Sequence, residues 1–365
     1  MTERHTPSSL DGLTWETRVL AAFEPEAGGR PSERAVRAAA AWLARSVPVV
    51  IPTETVYGLA APAADRRAVA AVFAVKGRPL DNPLIAHVTR REHLSQIGAV
   101  LSPLAEALTQ RFWPGPLTLV VPCTADIPWV TAGLDSVAVR HPNHAFAAAL
   151  IDRTGALAAP SANRSGRPSP TRGRHAARDL AGRVPLVVDG GALEHGLEST
   201  VLDVRGAQPL LLRPGALPLE ALEQALGAPI ASASAHGPVR SPGMKYRHYS
   251  PRAELWLYPP GPGMRARLEQ DAVAQVAAGR RLAVIAREPV AAERFIALPE
   301  DGRELARQMF AWLFELDELG VDCILVEGVA AGGVGRAVMD RLGRAATRVR
   351  DTDAEPETAE RQRAE

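Results

Sequence analysis

At 365 residues the chain exceeds the roughly 100–200 residues of one ordinary domain, so two domains are the working count. Hydrophobic residues make up 46% and charged residues 23%, which excludes a disordered or fibrous bulk. The formal net charge of +1 excludes a molecule-wide basic field that holds nucleic acid non-specifically, so any polyanion must be met locally.

Residues 1–31 show no sustained period and read as an N-terminal extension, poorly ordered or peripheral. They lack the basic-then-apolar signature of a secretory signal, and no stretch approaches the length of a membrane span; the expected location is cytoplasmic, with no membrane partner. From Ser32, SERAVRAAAAWLARS has a capping serine and an apolar stripe, predicting a helix that leads into the strand VPVVIP. The segment Pro52 to Ala60, PTETVYGLA, follows as a polar loop. A second helix is expected from Asp65 to Val75, capped by Asp65 and stopped by Gly77, before the strand NPLIAHV. Lys76 and Arg78 therefore straddle a helix end.

Next come one long candidate helix, REHLSQIGAVLSPLAEALTQRF, the strands GPLTLVVP and SVAVRHP, and a helix from about Ala145 to Arg153. The strands GALAA and PLVVDGG flank ALAAPSANRSGRPSPT, whose small polar residues mark a working loop more than a linker. STVLDV and PLLLRPG add two strands. Residues 229–252 are rich in Pro, Gly and Ser and form the expected interdomain linker, which bounds a first domain at 32–228. Beyond it AELWLYP, RLAVIAR and VDCILVEGV read as strands among three helices, a small α/β domain at 253–350. Residues 351–365 are a charged tail unable to bury a core.

Cys123 and Cys323 lie far apart in apolar runs, as buried reduced thiols do, and no His or Cys spacing suggests a protein-bound transition metal. There is no GxxxxGK[ST] loop, no GxGxxG after a strand and no nucleophile elbow, and Gly332-Gly333-Val334-Gly335 matches no phosphate-loop spacing. Two threonines, a tyrosine, Lys76, Arg78, Asn82 and His87 nevertheless gather around strand ends, where open α/β sheets bind ligands. Lys76 and Arg78, two apart on an irregular segment, can both point at one carboxylate or phosphate. Ser136 and Arg140 share a strand face; Glu198, Ser199 and Thr200 precede a strand, and Arg213 ends one. Taken singly, each of these residues fits a solvated turn or a helix cap equally well.

In this order, PTETVYGLA, KGRPLDNPLIAH, SVAVRHPNH, APSANRSGRPSPT, ESTVLDV and LLRPGA resemble the YrdC-like threonylcarbamoyl-AMP synthases (L-threonylcarbamoyladenylate synthases). SPGMKYRHYSP and GVGRAVMDRLGRAA resemble the longer, two-domain members, so that the likeness spans roughly residues 32–347. The resemblance implies an N-terminal YrdC-like twisted α/β domain around a deep cavity and a smaller C-terminal Rossmann-like α/β domain. It implies condensation of L-threonine, bicarbonate and ATP, with Mg2+ brought by the nucleotide, to threonylcarbamoyl-AMP and pyrophosphate. The product would pass to the tRNA threonylcarbamoyl-transfer machinery, for a modification beside the anticodon. By similarity Thr55, Lys76, His87, Arg140, Ser199 and the backbone at Ala159 would position threonine. Arg78, Asn82, Ser136, Ser161, Ser169, Arg213 and Tyr249 would line the ATP side; Tyr57 and Asn163 would support the pocket. Lys76 and Arg78 would carry the catalytic charge, and Tyr249 would close over the nucleotide. Ser250 stands where relatives commonly have alanine.

An RNA-binding module of the same fold without synthase activity would call for an aromatic-basic stripe, which the near-neutral chain lacks, so no strong direct nucleic-acid binding is expected. A carbamoyltransferase of the hydrogenase-maturation type would carry CxxC pairs, and none occurs.

Overall fold

The computed structural model describes residues 14–24, 29–233 and 249–350. Residues 1–13, 25–28, 234–248 and 351–365, which hold part of the expected extension, most of the linker and all of the tail, lie outside the described residues.

Short apolar runs between turn residues become strands β1 (Arg18–Ala21), β2 (Val49–Ile51), β3 (Gly58–Pro62), β4 (Ile85–His87), β5 (Leu117–Pro122), β6 (Ser136–Arg140), β7 (Leu157–Ala158), β8 (Leu186–Asp189), β9 (Thr200–Asp203), β10 (Leu210–Arg213) and β11 (Ala231–Ser232). They form one 11-stranded mixed sheet in the order β1-β8-β2-β3-β7-β4-β6-β5-β9-β10-β11. Its central strands are covered on both faces, which is why they read as unbroken apolar runs rather than alternating ones. On β2, Val50 enters one core cluster, while Val49 and Ile51 enter another with the helices Glu33–Leu43 and Ala145–Thr154. The period-2 alternation thus feeds two cores from one strand.

The predicted caps are in place. Ser32 accepts from the Ala35 amide at the start of Glu33–Leu43. Asp65 accepts from the amides of Arg67 and Ala68 at the start of the helix Arg66–Lys76, and Gly77, left-handed at φ 60°, ends that helix. Three sequence readings need correction. The single long helix expected from Arg91 is two helices, Arg91–Gln96 and Pro103–Phe112. Gly98 breaks it with φ +63° and a backbone so close to Ala125 that a Cβ would sit 2.2 Å from its amide nitrogen; Ser102 and Pro103 then start the second helix. Part of the N-terminal extension is the edge strand β1, paired in parallel with β8, and its four residues are too few to show a period. PTETVYGLA is not loop throughout, because Gly58 begins β3.

Past the linker, β12 (Glu254–Tyr258), β13 (Leu282–Ala286), β14 (Arg294–Ala297), β15 (Cys323–Glu327) and β16 (Arg348–Val349) form a five-stranded sheet in the order β14-β13-β15-β12-β16. Every pair in it is parallel, with the helices Met264–Ala277, Gly302–Leu319 and Gly335–Ala345 as crossovers, a Rossmann-like arrangement. The two α/β units meet along Gly302–Leu319. Arg167 pairs with Asp317, Arg172 and Arg174 with Glu315, and Arg178 with Glu318. The His175 ring stacks on Phe314 at 4.5 Å, and Gly196 lies so close that a Cβ would sit 2.4 Å from Arg307 Cα.

Candidate functional site

A cleft lies over the sheet face that carries Ile85, His87 and Arg140. Three backbone segments close it. The first is the β2–β3 connection, residues 52–57. Thr53 Oγ1 donates to the Val56 carbonyl at 2.7 Å and lies 2.8 Å from Thr55 Oγ1, a side-chain turn that holds both hydroxyls in place. Tyr57 anchors the segment from behind, its hydroxyl 2.9 Å from Asp189 Oδ1 and 2.8 Å from the Gly191 carbonyl, either of which can take its one proton. The second is the stretch after β7, which runs beside β3: Leu59 donates to Pro160 O, Ala162 to Tyr57 O, and a Cβ on Gly58 would lie 3.3 Å from that of Ala159. The third comprises Glu198 and Ser199 ahead of β9, with Arg213 at the end of β10.

His87 and Arg140 are register partners on β4 and β6. Arg140 Nη1 donates to Thr55 Oγ1 at 2.8 Å and Nε to the Gly115 carbonyl at 3.2 Å. Its Nη2 is 2.7 Å from Glu54 Oε2, an ion-pair contact without the alignment of a hydrogen bond, and both side chains are buried. Burial alone would raise the Glu54 carboxyl; Arg140 outweighs it and holds Glu54 below the usual range. Burial, with Arg140 adding to it, pushes His87 down to about 3, so its imidazole is neutral near pH 7 and its buried Nδ1 lacks a hydrogen-bond partner among the described residues.

The opposite wall is cationic. Arg78 donates to the carbonyls of Asn82 and Pro83, and burial lowers it to about 10, which leaves it charged at neutral pH. Arg213 Nη2 donates to Ser199 O at 2.9 Å, and Ser199 Oγ is 2.7 Å from Thr118 Oγ1. Glu198 takes a hydrogen bond from Ser169 Oγ at 2.6 Å and one from Arg341 Nε at 2.8 Å. Burial would raise this carboxyl, but Arg341, Arg213 and the hydrogen bonds bring it down to about 2. Tyr249 lines the same end, with its ring 5.3 Å from Phe310.

Of the residues singled out in the sequence, Thr55, Arg78, His87, Arg140, Ala159, Ser161, Ser199, Arg213 and Tyr249 line this cleft together. Lys76 stands behind the wall: its ammonium donates to the carbonyls of Ser161 and Asn163, each at 2.5 Å. Lys76 and Arg78 therefore diverge here instead of facing one anion, because left-handed Gly77 turns the chain between them. Burial lowers the Lys76 ammonium well below its ordinary value, with Arg78 contributing. Asn163 braces this loop through donations to Arg164 O and Arg167 O. Ser169 reaches the cleft only through Glu198; Ser136 is buried at the start of β6, outside the lining. Asn82 gives its carbonyl to Arg78, and its buried Oδ1 has no hydrogen-bond partner among the described residues.

The sequence reading missed Glu54, Thr118 and Arg341. Glu54 stood in plain sight within PTETVYGLA, and Arg341 interrupts the apolar stripe of its helix between Val338 and Leu342. Among the described residues no group of three His, Cys, Asp or Glu side chains is placed to hold a metal ion, and no helix is long and apolar enough to cross a membrane.

Fold and cleft define a two-domain α/β protein with an arginine-rich cleft lined by small hydroxyls and by Tyr249. The family model described as "Telomere recombination" (Sua5, YciO and YrdC) matches residues 42–215, and that described as "Threonylcarbamoyl-AMP synthase, C-terminal domain" matches 217–347. Threonylcarbamoyl-AMP synthase of Pyrococcus abyssi is 43% identical over 323 residues, covering 87% of this chain and 95% of its own. The Bacillus subtilis protein of the same name is 42% identical over 322 residues, covering 84% and 92%. The crystal structure of P. abyssi Sua5 complexed with L-threonine superposes with a TM-score of 0.84 at 41% identity, covering 90% of this chain and 97% of that one. The chain belongs to the threonylcarbamoyl-AMP synthase family and is an enzyme of the nucleotidyltransferase type.

Proposed function

We propose that this cleft condenses L-threonine, bicarbonate and ATP to threonylcarbamoyl-AMP and pyrophosphate, in the cytoplasm, for threonylcarbamoyladenosine modification of tRNA. The observation that carries the reading is the convergence of Arg78, Arg140 and Arg213 with the hydroxyls of Thr55, Ser161 and Ser199 on one buried volume. Such a lining suits a small zwitterion beside a polyphosphate. The chemistry needs no enzyme nucleophile. Threonine's amine displaces water from bicarbonate, forming the C–N bond of a carbamate. A carbamate oxygen then bonds to the α-phosphorus of ATP as the Pα–O bond to the β-phosphate breaks, and pyrophosphate leaves with the Mg2+ that ATP brought.

Arg140, fixed by Glu54 and Thr55, takes the threonine carboxylate in this reading, with Ser199, neutral His87 and the Ala159 backbone in the same lining. Arg78 and Arg213 take phosphate oxygens, Ser161 and the open acceptor of Asn82 lie on that side, and Ser169 and Ser136 support it from outside the lining. Lys76 acts through the Ser161–Asn163 loop in this conformation. Catalysis then consists of positioning and of neutralising two anions that repel each other.

Pyrophosphate release from MgATP is expected to require both L-threonine and bicarbonate, and to fall at least 100-fold in Arg78→Ala. Release that continues unchanged without threonine, or that proceeds equally with serine and unrelated amino acids, would sink the assignment.

A further inference from the structure

Arg341, on the C-terminal unit's helix Gly335–Ala345, is completely buried, and a buried guanidinium persists only where its donors are met. Its donors reach three places. Nε donates to Glu198 Oε2 at 2.8 Å, Nη2 to the Pro214 carbonyl at 3.0 Å, and Nη1 to Asp340 Oδ2 at 2.5 Å. The guanidinium carbon also lies 5.3 Å from the centroid of the Tyr249 ring, within cation–π range.

Asp340 is the neighbour of Arg341 on the helix, and the other contacts end beside residues assigned above to ATP. Glu198 holds Ser169, and Pro214 directly follows Arg213. Tyr249 holds a left-handed backbone at φ 66°, a conformation that costs a non-glycine residue about 1–2 kcal/mol and persists where surrounding contacts fix it. Phe310 and Arg341, both from the C-terminal unit, pack against its ring. Glu198, Arg213 and Tyr249 sit on three separate segments, and this one side chain reaches all three.

We propose that Arg341 is a positioning residue for the nucleotide side of the cleft, and that through it the C-terminal unit sets the affinity for ATP while leaving threonine binding to the sheet domain. The inference rests on the reading of Arg78, Arg213 and Tyr249 as the ATP side. It gives the second unit a direct part in the active site: without that unit the cleft would lack both the clamp on Glu198 and the two supports of Tyr249.

The test is titration calorimetry on the full chain, with MgATP and L-threonine added separately, for wild type, Arg341→Met, Arg341→Lys and Asp340→Asn. Arg341→Met should weaken ATP binding at least tenfold and change the threonine Kd less than twofold. Arg341→Lys should recover only part of the ATP affinity, because an ammonium cannot meet Glu198, Pro214 and Asp340 as a planar fork does. Asp340→Asn, at a partly exposed position, should cost a few-fold in the same direction. Glu198→Gln combined with Arg341→Met should lose less than the product of the two single losses, since both act through one contact. An unmoved ATP Kd beside a lowered melting temperature, or equal losses for both ligands, overturns the proposal and leaves Arg341 a structural tie. If Arg341→Met does not fold, Arg341→Lys and Asp340→Asn decide alone. Absence of ATP binding by the wild-type chain removes the functional reading and this inference with it; wild-type binding that the variants leave unchanged removes only the inference.

Discussion

Lys76 shows how a sequence position and a side chain's work can part company. The sequence places it two residues from Arg78, inviting a shared anion; the fold buries its ammonium against two carbonyls of the loop that carries Ser161. Replacing a buried ammonium with an apolar isostere relieves a desolvation penalty of several kcal/mol, which offsets the loss of two hydrogen bonds. Lys76→Met is therefore expected to keep its melting temperature within a few degrees while pyrophosphate release collapses as the Ser161 loop loses its anchor. Paired thermal melts and release assays check this, and activity near the wild-type level would remove Lys76 from the machinery. Glu54 was not singled out because acidic residues do not signal a site for anions; only the pairing with Arg140 reveals it.

Among the elements, two glycines beside the cleft separate backbone conformation from space. Gly77 needs its left-handed φ of +60°, but a Cβ there would meet nothing within 4 Å. Gly77→Ala should cost about 1 kcal/mol, the strain of that conformation alone. Gly215 has the opposite problem: a Cβ would lie 2.3 Å from Thr200 N, 2.4 Å from Ser199 C and 2.5 Å from Glu198 O. Those are backbone atoms of the cleft wall and cannot turn aside, so Gly215→Ala should cost on the order of 1–3 kcal/mol or more and displace Ser199. Urea denaturation ranks the pair, and a larger loss for Gly77→Ala than for Gly215→Ala contradicts the argument. Helix starts were legible here because caps are local: Ser32 and Asp65 bond amides two or three residues away. The break at Gly98 was not, because what closes on it is Ala125, from another part of the chain.

Across the whole molecule, acid should separate what neutral pH holds together. His175 lies buried between the units, stacked on Phe314, with Arg172, Arg174 and Arg178 on its own helix, Asp189 from β8 nearby, and Glu315 across the interface holding two of those arginines. Burial and the arginines push it down to about 3. Its folded value is below its unfolded one, so its contribution is complete above the unfolded pKa near 6.5 and is lost as pH falls toward 3. His87, held at about 3, and His144, held at about 4, act in the same direction. His175→Phe keeps the stack and removes the titration. Between pH 7 and pH 5 the wild type should therefore lose ~2 kcal/mol more unfolding free energy than the variant, as measured in urea. Parallel losses would show that His175 does not contribute.

The sequence by itself determined the two α/β units, the order of most strands and helices, and nine residues of the cleft lining between Thr55 and Tyr249, because hydrophobic period, capping and short ordered blocks are all written locally. Tertiary structure alone decided the direction of each charge. Lys76 turns from the cleft to a loop carbonyl pair, Glu54 serves Arg140, and Arg341 reaches from the second unit to Glu198 and Tyr249. A buried charge is positioned by whichever partners the fold brings within about 3 Å, and those partners lie scores of residues away in the chain.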